Sequence, residues 1–289
     1  METSELLRKV RKIEIKTKGL SNHIFSGEYH TAFKGRGMSF SEVRSYQYGD
    51  DVRDIDWNVT ARTGEPYVKV YEEERELTVM LLVDVSQSAF FGTVNQLKTE
   101  IIAEICAVLA FSAINNNDKV GVIFFSDRVE MFIPPKKGRQ HILRIIRELI
   151  NFEPVGAGTD ISAALGHFNN AIKKRSICFV LSDFQDSGYE LPLRIAARRH
   201  DLVGVQLTDP AEATLPNIGL VRALDPETGA LQWIDTSSRR LQKDYSGRYQ
   251  RNYQYFRSVF LKCGADQIPI RTDESYVKAL QRFFQKRMG

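Results

Sequence analysis

From Leu77 onward, short apolar runs alternate with longer stretches of helical period, and this alternation constrains the fold more than any other feature of the chain. Leu77–Val83 is apolar on both faces, so it must be covered on both faces, as the strands of a parallel sheet are. Val120–Phe125, Arg128–Ile133, Ile177–Leu181, Leu202–Leu207 and Gln267–Ile270 supply further strands. Helical patterns fall at Val94–Asn115, Gly138–Asn151, Ile161–Lys174, Glu190–Arg199 and Glu274–Lys286. The pattern predicts an α/β fold with a doubly wound, mostly parallel six-stranded sheet. Only Ser126-Asp127 separates Arg128–Ile133 from the run before it, so that strand is predicted to be antiparallel.

Two segments stand apart from the alternation. Gly219–Asp235 holds two alternating runs around Asp225-Pro226-Glu227-Thr228-Gly229, which reads as a β-hairpin. A polar helix, Ser238–Cys263, follows it, so residues 219–263 form a hairpin-and-helix insertion. Before Leu77 the texture is different. Leu6–Leu20 has a helical pattern, and Ser21–Glu76 is dense in turn residues, which predicts loops and short strands rather than helices. The expected division is an N-terminal extension, 1–76, and an α/β domain, 77–289.

Bulk properties exclude several classes. The 289 residues are 43% hydrophobic and 26% charged, which is enough apolar content for a packed core. A net charge of +4 with no long basic run gives no reason to expect nucleic acid as a partner. Cys106, Cys178 and Cys263 form no C-x-x-C pair and read as buried thiols. The N-terminal stretch lacks an apolar signal region, and the apolar runs are strand-sized. A cytoplasmic protein without direct membrane insertion is therefore expected.

The Leu77–Val83 strand ends abruptly in Asp84, Ser86 and Ser88. In an open α/β sheet, ligands sit beyond the carboxyl ends of the strands. Two other segments bring oxygen to equivalent loops: Thr159-Asp160 before a helix, and Ser182-Asp183 after the Ile177–Leu181 strand. The candidate set is Asp84, Ser86, Ser88, Thr159 and Asp183. Donors that are all oxygen, with few carboxylates among hydroxyls, suit a hard divalent cation. Magnesium comes first, with manganese or calcium as substitutes. Zinc would seek His or Cys, which these loops lack. Such an ion leaves room for one more carboxylate, and a partner protein can supply it. Each segment taken alone also fits a turn or a helix N-cap.

D-x-S-x-S after the first strand, Thr159 in G-T-D and Asp183 in S-D-F resemble the metal-ion-dependent adhesion site of von Willebrand factor A domains. The resemblance implies that Ser86, Ser88 and Thr159 reach the ion while Asp84 and Asp183 act through water. A second resemblance is to the family of domain of unknown function 58, carried by Arg44–Arg75, Phe124-Phe125-Ser126-Asp127, Ile133–Gly138, Ser182-Asp183-Phe184 and Asp225–Gly229. It spans nearly everything from Gly35 to the C-terminus. It implies a partner, a MoxR-type AAA+ ATPase or its client. One departure is Ala89, where the family commonly has Met. Read physically, the Arg44–Arg75 signature interleaves Asp50, Asp51, Asp54 and Asp56 with Arg53 and Arg62. It is expected to fold as an ion-paired network with Trp57 as its anchor.

Catalytic motifs are missing. A dehalogenase-type phosphotransferase needs a second Asp two residues after Asp84, and Ser86 stands there. The chain has no G-x-G-x-x-G after its first strand, no G-x-x-x-x-G-K-[ST], no H-E-x-x-H and no G-x-S-x-G. The expectation is a non-enzymatic, magnesium-dependent protein-binding module. The alternative is a metal-dependent phosphohydrolase using Asp84.

Overall fold

The computed structural model describes residues 3–20, 38–73, 76–90, 97–156, 158–224 and 231–288. The Asp225–Gly229 turn and the first residues of the Val94–Asn115 helix lie outside them. The chain divides into two compact units: residues 33–76, and residues 1–32 together with 77–289. The larger unit begins with helix α1 (Thr3–Leu20).

In the smaller unit, β1 (Met38–Ser45), helix α2 (Trp57–Thr63) and β2 (Tyr67–Glu73) follow one another, and the two strands pair antiparallel. The helix corrects the expectation of a helix-free region. Asp56 caps it, accepting from the Asn58 and Val59 amides at 3.0 and 3.2 Å, and Gly64 ends it at φ 77°. Both are ordinary helix punctuation. The expected charge network is also smaller than foreseen. Asp50 pairs with Arg44 through two 2.7 Å bonds, not with Arg53 or Arg62. Asp51 and Asp56 serve as backbone caps. Trp57 is 67% exposed, not buried as an anchor would be.

The larger unit continues with β3 (Thr78–Asp84), α3 (Lys98–Asn115), β4 (Lys119–Phe125), β5 (Val129–Lys136), α4 (Arg139–Ile150), α5 (Ile161–Ala171), β6 (Ile177–Ser182), α6 (Glu190–Arg199), β7 (Asp201–Thr208) and the short α7 (Pro210–Ala213). Then come β8 (Leu220–Leu224), β9 (Leu231–Asp235), α8 (Arg239–Cys263), β10 (Asp266–Arg271) and α9 (Tyr276–Met288). The main sheet has six strands in the order β10-β7-β6-β3-β4-β5, all parallel except β5, which is antiparallel to β4. The doubly wound, mostly parallel sheet is as expected, and β8–β9 is the antiparallel hairpin read from the sequence.

Burial follows strand alternation. Met80 and Leu82 of β3 join Phe168 of α5, Leu193 of α6 and Phe256 and Phe260 of α8 in one core. Val79, Leu81 and Val83 are equally buried and point to the other side, where α3 packs. Helix α3 is apolar nearly all round and almost wholly buried. It has the sheet on one side, with α1 and α4 covering it on the other. Lys16 of α1 reaches Glu104 of α3 at 2.6 Å, and Arg139 of α4 reaches Glu14 of α1 at 2.6 Å. Helix α8 approaches β7 at Gly204, where a Cβ would lie 2.5 Å from the Phe260 ring and 2.9 Å from that of Phe256. Only glycine permits that approach.

Candidate functional site

Strand β3 lies between β6 and β4, and the chain leaves it for β4 and β5 before returning to β6 on its other side. The β3/β6 boundary is thus the place where the winding reverses, and crevices in open α/β sheets form there, outside the carboxyl ends of the strands. Asp84 ends β3 and Ser182 ends β6.

The loop after β3 turns back at once. The Asp84 carboxylate accepts the Ser86 amide at 3.0 Å through Oδ1 and the Ser182 hydroxyl at 2.6 Å through Oδ2. Asp84 is 2% exposed. Burial, and then the charge of Asp183, push its pKa up to about 6, against the pull of the bonds from Ser182 and Ser86. The Ser86 and Ser88 hydroxyls share a hydrogen bond at 3.0 Å, and the Thr159 hydroxyl donates to Ser86 Oγ at 2.9 Å. Three hydroxyls from two separate loops therefore meet beside two carboxylates.

A second layer of contacts holds these loops in register. Glu130 accepts from the Ser126 hydroxyl at 2.6 Å and from the Val155 and Gly156 amides at 3.1 and 2.7 Å. This ties the segment before Thr159 to the β4–β5 turn. A Cβ at Gly156 would collide with Ser126 and Asp127, so the close approach requires glycine. Asp186 accepts the Ile161 amide at 2.8 Å, joining the loop after β6 to the start of α5. Asp160 serves as the α5 N-cap, accepting from the Ala163 amide at 2.8 Å.

Asp183 is 7% exposed. Its Oδ1 accepts the Gln185 amide at 3.2 Å and its Oδ2 the Lys98 ammonium at 3.2 Å. Phe184 follows with φ 56°, a left-handed conformation that costs a side-chain-bearing residue roughly 1–3 kcal/mol. Its amide is held by Ser182 Oγ at 3.0 Å, and its ring packs 4.3 Å from that of Phe256.

The structure brings Ser86, Ser88 and Thr159 into one hydrogen-bonded chain, with Asp84 directly behind it and Asp183 close enough to raise the pKa of Asp84. Sequence reasoning passed over three contributors. Ser182 stands beside Asp183 in the S-D-F motif, and its hydroxyl holds Asp84 and the Phe184 amide. Lys98 was lost among the residues of a helix. Glu212 belongs to Asp209-Pro210-Ala211-Glu212, a legible capping box whose bonds are both formed at α7.

The donor set fits a small hard dication. Adjacent oxygens around an octahedral magnesium at about 2.1 Å lie about 3.0 Å apart. Hydrogen-bonded hydroxyls have the same spacing, so an ion can replace the bonds among Ser86, Ser88 and Thr159 with little movement of the oxygens. Asp84, Asp183 and Glu212 against Lys98 leave two negative charges to balance when all are ionised. Among the described residues no three of His, Cys, Asp and Glu come together as a metal cluster. Nor is any helix among them long and apolar enough to cross a membrane.

The family model described as "Protein of unknown function DUF58" matches residues 42–255. Uncharacterized protein Rv1480 of Mycobacterium tuberculosis is 28% identical over 290 residues, covering 99% of this chain and 91% of its own length. Among solved structures, an aerotolerance-related membrane protein from Bacteroides fragilis aligns with TM-score 0.50 and 16% identity over 73% of this chain and 98% of that one. A von Willebrand factor type A protein from Catenulispora acidiphila aligns with TM-score 0.40 and 10% identity over 77% and 45%.

Proposed function

The chain belongs to the DUF58 family and carries a von Willebrand A-like α/β fold, and from that premise we propose that it is a protein-binding module whose grip depends on a divalent cation. Ser86, Ser88 and Thr159 hold magnesium, with Asp84 and Asp183 in support. A carboxylate of the partner completes the shell. The ion supplies a positive charge that a single protein carboxylate can meet directly, which makes partner binding both strong and strictly placed. The partner is a MoxR-type AAA+ ATPase or its client, as the family resemblance implies.

One observation carries this proposal: three hydroxyls from two loops meet at the reversal of the sheet, 2.9 and 3.0 Å apart, beside two buried carboxylates. Simple turns or caps would aim each side chain at its own backbone. Here Ser86, Ser88 and Thr159 bond to one another across a 73-residue separation. A non-catalytic role is supported by the state of Asp84. Both its oxygens are engaged and it is almost wholly buried, so it presents no face for attack on a phosphoester.

The test is capture of a purified MoxR-type ATPase from the same genome on the immobilised chain, with magnesium and then with EDTA. Retention should be lost on chelation and lost in the Ser86→Ala/Ser88→Ala double variant, with the far-UV spectrum unchanged. Retention insensitive to both would refute the bridging role of the ion. Phosphoesterase turnover abolished by Asp84→Asn would establish the enzymatic alternative instead.

A further inference from the structure

Lys98 opens α3 and is 1% exposed. An ammonium withdrawn from water costs several kcal/mol unless it is paired, so a buried lysine needs strong partners. Lys98 has two: Asp183 Oδ2 at 3.2 Å and Glu212 Oε1 in close contact. Burial acts to lower its pKa, but the charges of Asp183 and Glu212 outweigh burial and raise it, so the residue stays a cation.

Neither partner is free to turn away. The Gln185 amide fixes Asp183 through Oδ1, and the Asp209 amide fixes Glu212 through Oε2 at 2.9 Å. Asp209 in turn accepts from the Thr272 hydroxyl at 2.8 Å, so the anchor reaches as far as the residue after β10. With Lys98 on one oxygen and a backbone amide on the other, both Asp183 oxygens already carry a hydrogen bond. Asp183 is one of the two carboxylates proposed above to support the ion.

We propose that Lys98 is a built-in rival of the divalent cation: it holds the Asp183 carboxylate that the ion needs and opposes the ion with its own charge, so the resting site fills weakly and fills firmly only when a partner adds its carboxylate. The inference rests on the cation centre proposed above and adds to it a rule for when the centre loads. Glu212 has the opposite effect, because it shares the ammonium and so loosens its hold on Asp183.

The test is Mn2+ binding to the full chain at pH 8, read by calorimetry and by the electron paramagnetic resonance of free Mn2+. Lys98→Met/Glu212→Gln removes the ammonium and one carboxylate together, which keeps the net charge of the cluster, and the new Gln can still accept the Asp209 amide. It is expected to bind Mn2+ about tenfold or more tighter than wild type, a gain of about 1.4 kcal/mol or more. Glu212→Gln alone leaves Lys98 entirely to Asp183 and is expected to weaken binding, so the two variants move in opposite directions. A purely structural Lys98 predicts weaker binding in the double variant, and that result, or equal affinity, overturns the rivalry. If the double variant does not fold, unchanged or tighter binding by Glu212→Gln overturns it equally. Ser86→Ala/Ser88→Ala separates the two levels: if it binds Mn2+ as wild type does, or if no protein binds, the cation centre itself fails. If it loses binding while the Lys98 and Glu212 variants match wild type, only the rivalry fails.

Discussion

Replacing Ser182 by Ala tests the architecture behind the hydroxyls. Ser182 Oγ is buried and makes two bonds, donating to Asp84 Oδ2 at 2.6 Å and accepting the Phe184 amide at 3.0 Å. The first is a short bond to a charged group, worth about 1.5–3 kcal/mol, and the second leaves a buried amide without a partner, at about 1–3 kcal/mol. The combined loss is about 2.5–6 kcal/mol, a large share of the 5–15 kcal/mol that typically holds a domain together. The pH dependence is more diagnostic than the size. Burial and Asp183 already raise the pKa of Asp84 to about 6, and the bond from Ser182 restrains that rise. Without Ser182 the pKa rises further. A carboxyl that is harder to ionise when folded carries a penalty absent at low pH, which grows as pH passes the unfolded value near 4 and then the folded value. Ser182→Ala should therefore cost more at pH 8 than at pH 5. Urea unfolding followed by circular dichroism at both pH values, with EDTA present, measures this. In an Asp84→Asn background the pH-dependent part should vanish. A loss under about 1 kcal/mol, or a loss larger at pH 5 than at pH 8, would refute the account of Asp84 as a strained buried carboxylate.

Two further outcomes follow from the core. Gly204→Ala places a methyl against the rings of Phe256 and Phe260, which are buried and packed against Phe184 and each other, so the rings cannot yield; thermal unfolding should show a loss of about 1–3 kcal/mol. His200 is buried beside Phe168 and bonded to Ser176 Oγ at 2.9 Å, and burial, aided by Arg199 and Arg175, lowers its pKa to about 4. Its neutral form is favoured in the fold, so its contribution is intact above pH 6.5 and is lost as pH falls towards 4, about 2–3 kcal/mol in all; a stability–pH profile that is no flatter in His200→Gln would contradict this.

Much of the larger unit was legible because its strands advertise themselves. Leu77–Val83 has no polar face, so it had to be central, and β3 is flanked on both sides. The two-residue link at Ser126-Asp127 allowed only an antiparallel return, and β5 makes one. Asp84, Ser86, Ser88 and Asp183 were legible as candidates for a related reason: polar side chains that interrupt apolar strands at their ends are hard to miss, whereas Thr159 stood out only in the loop before α5. Other features were hidden by their chemistry. A lysine in the first turn of a helix reads as solvated, and only tertiary packing reveals Lys98 as buried. Trp57 misled in the opposite direction, because a large aromatic ring suggests an anchor until its exposure is seen. The helix Trp57–Thr63 was missed although Asp56 and Gly64 mark both its ends, because the density of charged and turn residues around it outweighed those two signals.

The bond between Thr159 and Ser86 joins residues 73 positions apart, the one between Ser182 and Asp84 spans 98, and the pair of Lys98 with Glu212 spans 114. Contacts so distant along the chain cost loop-closure entropy before they are rewarded, and they need both partners to be present. During synthesis, a polypeptide still missing its second half has no such centre to offer, and its lysine has no carboxylate to meet. On the reading proposed above, a ribosome-bound chain would have no complete centre to offer a partner until Asp183 has left the exit tunnel, and Lys98 would lack its second carboxylate until Glu212 follows.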